Sequence, residues 1–356
     1  MIAFNYSGKR KEAVIEKKLQ IQGLSEASKQ IISDLEDFHK DLVKVFTKDK
    51  SLAKSNDYRR QRANDFLIEH AGKIEEVAGK KDFEIRSVID LHPIPVRLYY
   101  YDLEITSRDL VIFIHGGGWF QGNLETHDYI CRKLVKFFRR DVLAIDYRLT
   151  PEHVFPVQLN DVLSAYLWSS CELKYERIIL AGDSAGGNLC AALCMKLAEN
   201  EKAQKPHAQI LFYPALGNNL EGGSAELFEN CPALSKASVL SFITKYTGPH
   251  GVYDNMVGNK FVYPILEEDM SVFPTTVVVS ASYDILLDSQ LEFVNKFRHC
   301  RDDIFHTIED GAVHGFTSYG KYFDDVVDRN LEKIKEYLRE IDSSDEKFED
   351  HSAEQE

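Results

Sequence analysis

A chain of 356 residues with 44% hydrophobic side chains can bury a substantial packed core. Its formal net charge of -14 excludes a general affinity for nucleic acid or anionic membranes, which require basic surface, and favours neutral small molecules. Six cysteines (Cys131, Cys171, Cys190, Cys194, Cys231 and Cys300) form no C-x-x-C pair, so reduced thiols in a reducing compartment are the expectation.

The first stretch, "MIAFNYSGKRKEAVIEKK", has no apolar run of signal-peptide length, and no uncharged apolar run anywhere is long enough to span a membrane. A cytoplasmic protein is expected. From Ser25 to Lys48, Ile31, Leu35, Phe38, Leu42 and Phe46 recur at three- and four-residue spacing, which places them on one helical face. A second, more polar helix is expected over 59–78, so residues 1–80 form a helical N-terminal segment.

At Phe83 the period changes. "FEIRSVIDLHPIPVRLYYY" alternates, with Pro93 and Pro95 expected to break it into an antiparallel hairpin. Five short apolar runs follow, "LVIFIH", "VLAIDY", "RIILAG", "QILFYP" and "TTVVVSAS", separated by helix-length segments. Runs buried on both faces and spaced by helices imply an α/β fold with a mostly parallel central sheet flanked by helices. This catalytic domain spans 81–340. The spacer at 215–270 is too long for a plain crossover and reads as an insertion that joins the N-terminal helices in a cap. The last stretch, 341–356, holds seven acidic residues against one lysine and is expected to be a disordered tail. Short glutamate-rich ends also resemble secretion signals of some bacterial effectors, which gives secretion without a cleaved signal as the alternative location.

The chemistry is concentrated in "RIILAGDSAGGN". A buried strand runs into Gly182-Asp183-Ser184-Ala185-Gly186 and then a helix, the G-x-S-x-G pattern in a strand, sharp turn and helix setting. A serine hydroxyl needs an adjacent base, and the base an orienting acid. Asp284 stands just past a buried strand, with Asp288 and Asp310 as rival acids; His314 stands in a glycine-flanked loop past the next strand. His306 falls within that strand, and His127 and His299 within helical segments, where packed or solvated roles are expected. The run "HGGGW" explains itself in the same terms. Gly116, Gly117 and Gly118, with the amide of Ala185, are candidate donors to a tetrahedral oxyanion. Neither a phosphate-binding loop nor a metal-ligand cluster appears in the sequence, so no cofactor and no metal are expected.

Five stretches, "HGGGW", "DYRLTPEHVFP", "GDSAGGN", "YDILLD" and "HGF", occur in order between Val111 and Phe316. Together they resemble the hormone-sensitive-lipase-like group of α/β-hydrolases, the bacterial family IV carboxylesterases. The resemblance implies an α/β-hydrolase fold with a helical cap, and a serine carboxylesterase acting on short- to medium-chain acyl esters. It implies Ser184, Asp284 and His314 as catalytic residues and the HGGG glycines with Ala185 as the oxyanion hole. Trp119 and Phe316 are expected at the substrate, while Arg148 and Glu152 hold the loop beneath the site. Two features depart from the group: the long N-terminal segment carries no known motif, and "YPALGNN" follows the usual pattern only loosely. An amidase, deacetylase or lactonase would use the same triad. A non-catalytic small-ligand receptor would lack the histidine. Oligomeric state is left open between monomer and dimer.

Overall fold

The computed structural model describes residues 23–103, 109–173, 175–217, 219–248 and 256–353, with side chains as far as Asp342. Residues 1–22, read above for a signal segment, and 354–356 of the acidic tail lie outside the described residues. Eight strands form one sheet in the order β1-β2-β4-β3-β5-β6-β7-β8. Antiparallel β1 (Gly79–Arg86) and β2 (Pro93–Tyr100) lead into parallel β3 (Asp109–Ile114), β4 (Asp141–Ile145), β5 (Arg177–Asp183), β6 (Ala208–Phe212), β7 (Thr275–Tyr283) and β8 (Ile304–Val313).

The alternation of side chains along β3 explains the uninterrupted apolar run that follows Asp109. Val111 and Phe113 join one buried cluster while Ile112 and Ile114 join the other, so both faces of the sheet are dry. Helices α3 (Asp128–Phe138) and α9 (Gly320–Ala353) contribute Leu134 and Leu331 to the first cluster. Helices α4 (Val157–Trp168), α5 (Ala185–Ala198) and α8 (Leu287–Cys300) contribute Val162, Leu189 and Phe293 to the second.

The hairpin differs in detail from expectation. Its turn lies before Pro93, and both prolines sit inside β2, Pro95 opposite Glu84. A strand residue presents its N–H and C=O to the same neighbour. The Pro95 carbonyl accepts from Asp146 N at 2.9 Å, just past the end of β4, so the missing proline donor falls where that ladder has already stopped.

Among the described residues the N-terminal segment opens with α1 (Glu26–Lys48), which Ser25 caps through its side chain and in which Ile31 and Leu35 are buried. The next helix, α2 (Asn56–Glu69), ends earlier than expected, because residues 70–78 lead into β1. The insertion carries α6 (Gly223–Leu227) and α7 (Lys236–Thr247), the latter capped by Ser235. The acidic end also differs. Helix α9 continues to Ala353, and Asp342 pairs with Arg177 and His207, each at 2.9 Å. Extending a helix whose earlier turns are already packed needs no new nucleus, so polar residues can prolong it.

Arg60 ties α2 to the catalytic core. Its Nε donates to Phe120 O and its Nη2 to Thr150 O, both at 2.7 Å, and the guanidinium pairs with Glu152. Arg60→Ala is therefore expected to lower stability by about 1–3 kcal/mol, since two carbonyls lose a charged donor; a shift of the urea midpoint at constant slope would measure it.

Candidate active site

At the end of β5 the chain makes a turn no ordinary residue favours. Ser184 sits at φ 51° and ψ -114°, with its N–H donating to Phe212 O at 2.9 Å and its carbonyl accepting from Ala215 N at 3.1 Å. These bonds hold the strain in place. The second glycine of the pattern has a steric cause: a Cβ on Gly186 would lie 1.9 Å from Ile114 O. Only glycine lets α5 start this close to β3.

His314 follows β8 and reaches back over the sheet. Its Nε2 is 2.9 Å from Ser184 Oγ and its Nδ1 is 2.8 Å from Asp284 Oδ2. Asp284 is fully buried just past β7, where it accepts from Leu286 N at 2.9 Å and from Gln290 Nε2 at 3.2 Å. The rival acids are engaged elsewhere or exposed: Asp288 accepts from Ser224 N at 2.8 Å, and Asp310 faces outward. Three residues named separately in the sequence thus form one hydrogen-bonded chain.

Two sequence expectations require correction. Gly116 cannot serve as an oxyanion donor, because its N–H is taken by Asp183 Oδ1 at 2.8 Å. The amides of Gly117 and Gly118, and that of Ala185 at the first turn of α5, have no acceptor among the described residues, and all three residues line the cavity with Ser184. Phe316 does not reach that cavity. Gly315 turns at φ 84° and sends the ring into the core, where it packs edge-on against Tyr213 at 5.3 Å. Tyr213 in turn touches the His314 ring at 4.9 Å and bonds Thr317 through its hydroxyl, so Phe316 backs the histidine.

Trp119 does line the cavity, although its ring is buried in a parallel stack with Tyr246 of α7 at 4.1 Å. Arg148 is structural as expected, bonded to buried Asp161 and to Asp90, both at 2.6 Å. Glu152 instead holds Arg60 of the N-terminal segment.

Residues overlooked in the sequence lie directly beneath the glycine loop. Burial pushes the Asp183 carboxyl upward, but His127, with Nε2 at 3.3 Å, and the Gly116 amide outweigh it and hold the group below its ordinary range. His127 was read as a packed helical histidine; only its partner in space reveals more. His115 stacks on Tyr147 at 4.2 Å and bonds Gly116 O through Nδ1 at 2.8 Å. Asn64 of α2 accepts from Gly122 N at 3.0 Å. Without its structure the N-terminal segment offered no sign that it reaches this loop.

The cavity measures about 2300 Å³ and runs from Ser184 outward between α1, which supplies Leu35, Phe38 and Phe46, and α7, which supplies Val239, Phe242 and Ile243. Among the described residues no group of His, Cys, Asp and Glu is placed to hold a metal ion, and no helix is long and apolar enough to cross a membrane.

An eight-stranded sheet with a serine at a strained strand-to-helix turn, bonded to a histidine and a buried aspartate, defines the class: an α/β hydrolase. The chain belongs to the alpha/beta hydrolase fold family, whose model matches residues 111–318, and to its hormone-sensitive-lipase-like branch. It is 32% identical over 219 residues to the carboxylic ester hydrolase LipN of Mycobacterium tuberculosis, covering 59% of this chain and 57% of LipN. It is 28% identical to the arylesterase of Saccharolobus solfataricus over 263 residues, 72% of this chain and 83% of that one. Among solved structures, an ester-hydrolase from the metagenome of Lake Arreo superposes with a TM-score of 0.75 at 25% identity, covering 88% of this chain and 99% of the other. The chain thus spans little more than half of LipN but nearly all of the Lake Arreo enzyme.

Burial, together with the neighbouring His127, pushes His115 down to about 3 from 6.5. Below pH 6.5 the unfolded chain therefore binds a proton that the folded chain refuses, and stability falls as pH drops towards 3. Urea midpoints between pH 7 and 4 should show this loss, with a shallower slope in His115→Gln.

Proposed function

We propose that this chain is a cofactor-free serine carboxylesterase in which Ser184, His314 and Asp284 act as nucleophile, base and orienting acid. The observation that carries the reading is the continuous hydrogen-bonded path from Ser184 Oγ through His314 to Asp284, opening on a cavity beside unbonded amides. His314 removes the serine proton as Oγ attacks the ester carbonyl. In this reading the oxyanion so formed is held by the amides of Gly117, Gly118 and Ala185, residues that line the cavity with Ser184. The imidazolium, balanced by the buried Asp284 carboxylate, then protonates the departing alcohol. Water enters and attacks the acyl carbonyl as it gives a proton to His314, which returns that proton to Ser184 Oγ as the acid leaves.

The N-terminal helices and the 215–270 insertion act as a cap that shields this intermediate. Short- to medium-chain acyl esters are the proposed substrates, with room in the cavity for a bulkier alcohol portion. The six free cysteines support a cytoplasmic location.

Hydrolysis of p-nitrophenyl esters from acetate to laurate tests this reading. Ser184→Ala should abolish turnover, and Asp284→Asn should lower kcat about 10⁴-fold with little change in KM, because the histidine loses its correct tautomer. Inactivity of the folded wild-type enzyme towards every ester in the series would rule the reading out.

Loss of one oxyanion donor is expected to cost about 3 kcal/mol in the transition state. Replacing Gly118 should cost at least as much, since a Cβ there would lie 2.4 Å from the Phe242 ring at a φ of 63°. A fall in kcat for Gly118→Ala, measured against Ser184→Ala as background, checks this.

A further inference from the structure

Two residues past Gly118, the ring of Phe120 gathers three cations. Arg60 lies 5.0 Å from its centroid, Lys245 5.1 Å and Arg59 5.8 Å. Arg60 is neutralised by Asp57 at 3.2 Å and by Glu152. The other two are not. Neither Arg59 nor Lys245 has a carboxylate within ion-pair distance among the described residues; Lys245 donates only to the carbonyl and hydroxyl of Ser241.

The two cations come from different elements, Arg59 from α2 and Lys245 from α7. Both are half-buried, and burial pushes each below its ordinary range, with the charge of Arg59 pushing Lys245 further. Like charges brought together in a partly dry setting are unfavourable unless something compensates them, and the face of one phenyl ring offsets only part of that cost. A bound anion would offset the remainder. Arg59 also lines the cavity that holds Ser184, and Phe242, whose ring is 6.3 Å from that of Phe120, bridges the space between the cations and Gly118.

We infer that Arg59 and Lys245 form an anion subsite around Phe120 that selects esters bearing a free carboxylate remote from the scissile bond. This inference rests on the esterase reading above for its link to turnover, but the subsite itself can be tested by binding alone. The planar guanidinium of Arg59 suits a carboxylate through paired N–H donors, and Lys245 adds a second charge.

In the full-length Ser184→Ala protein, calorimetry should show monomethyl adipate binding about tenfold tighter than neutral dimethyl adipate at low salt. Adding Arg59→Gln should abolish the preference, Lys245→Gln should reduce it, and raising ionic strength should weaken it in the parent. Equal affinity for the two adipates, or a preference that survives Arg59→Gln, would overturn the inference. Should Arg59→Gln fail to fold, as judged by its thermal unfolding, Lys245→Gln and the salt series still decide the matter. With Ser184 intact, p-nitrophenyl ester turnover separates the two readings. A folded enzyme that hydrolyses no ester but still prefers the anionic adipate overturns the esterase mechanism and leaves the subsite standing.

Discussion

The buried carboxylate of Asp183 is the constraint on which the site depends. It stands at the end of β5, one residue before the nucleophile, and accepts the amide of Gly116 at the end of β3 while facing His127 at the start of α3. A group this deeply buried is tolerable only when it is hydrogen-bonded, and Asp183 has both the Gly116 amide and His127 as partners. The consequence is geometric. Asp183 takes the amide of the first glycine of the loop, and the next two, Gly117 and Gly118, line the cavity that holds Ser184. The glycine loop and the Ser184 turn are therefore tied together by the hydrogen bond from Gly116 to Asp183.

The same loop is gripped from its other side by the N-terminal segment. Arg60 holds the carbonyls of Phe120 and Thr150, and Asn64 accepts the amide of Gly122. A segment that resembles an appended lid is thus also a brace for the glycine loop. Binding energy from a remote part of the substrate, spent against α1 or α2, would be transmitted to the residues nearest the reacting carbonyl. An anion held by Arg59 would act one residue away from Arg60, on the same helix.

Much of this was legible in one dimension because its causes are local. Period-two and uninterrupted apolar runs follow from which faces of a strand are dry, and they located the strands from β3 to β7. The glycines around Ser184 follow from contact between main chains, so the motif carries its own geometry. Chain order, set by the succession of strands, was sufficient to choose His314 from twelve histidines and Asp284 over Asp288 and Asp310.

What the sequence could not supply are pairings between residues far apart in the chain. Gly116 looks like its two neighbours until Asp183, 67 residues on, takes its amide. Phe316 follows His314 closely enough to suggest substrate contact, yet the turn at Gly315 sends it into the core. His127 and Arg60 carry no motif, and Arg59 is an ordinary helical arginine until Lys245 meets it over Phe120. The sequence by itself determined the fold class and the three residues that line up at the serine, because strand burial and close backbone approach leave local marks. Tertiary structure alone decided which amides stay free, which charges stay unbalanced and how the N-terminal helices enclose the site, because those outcomes depend on distances across the sheet that no local pattern encodes.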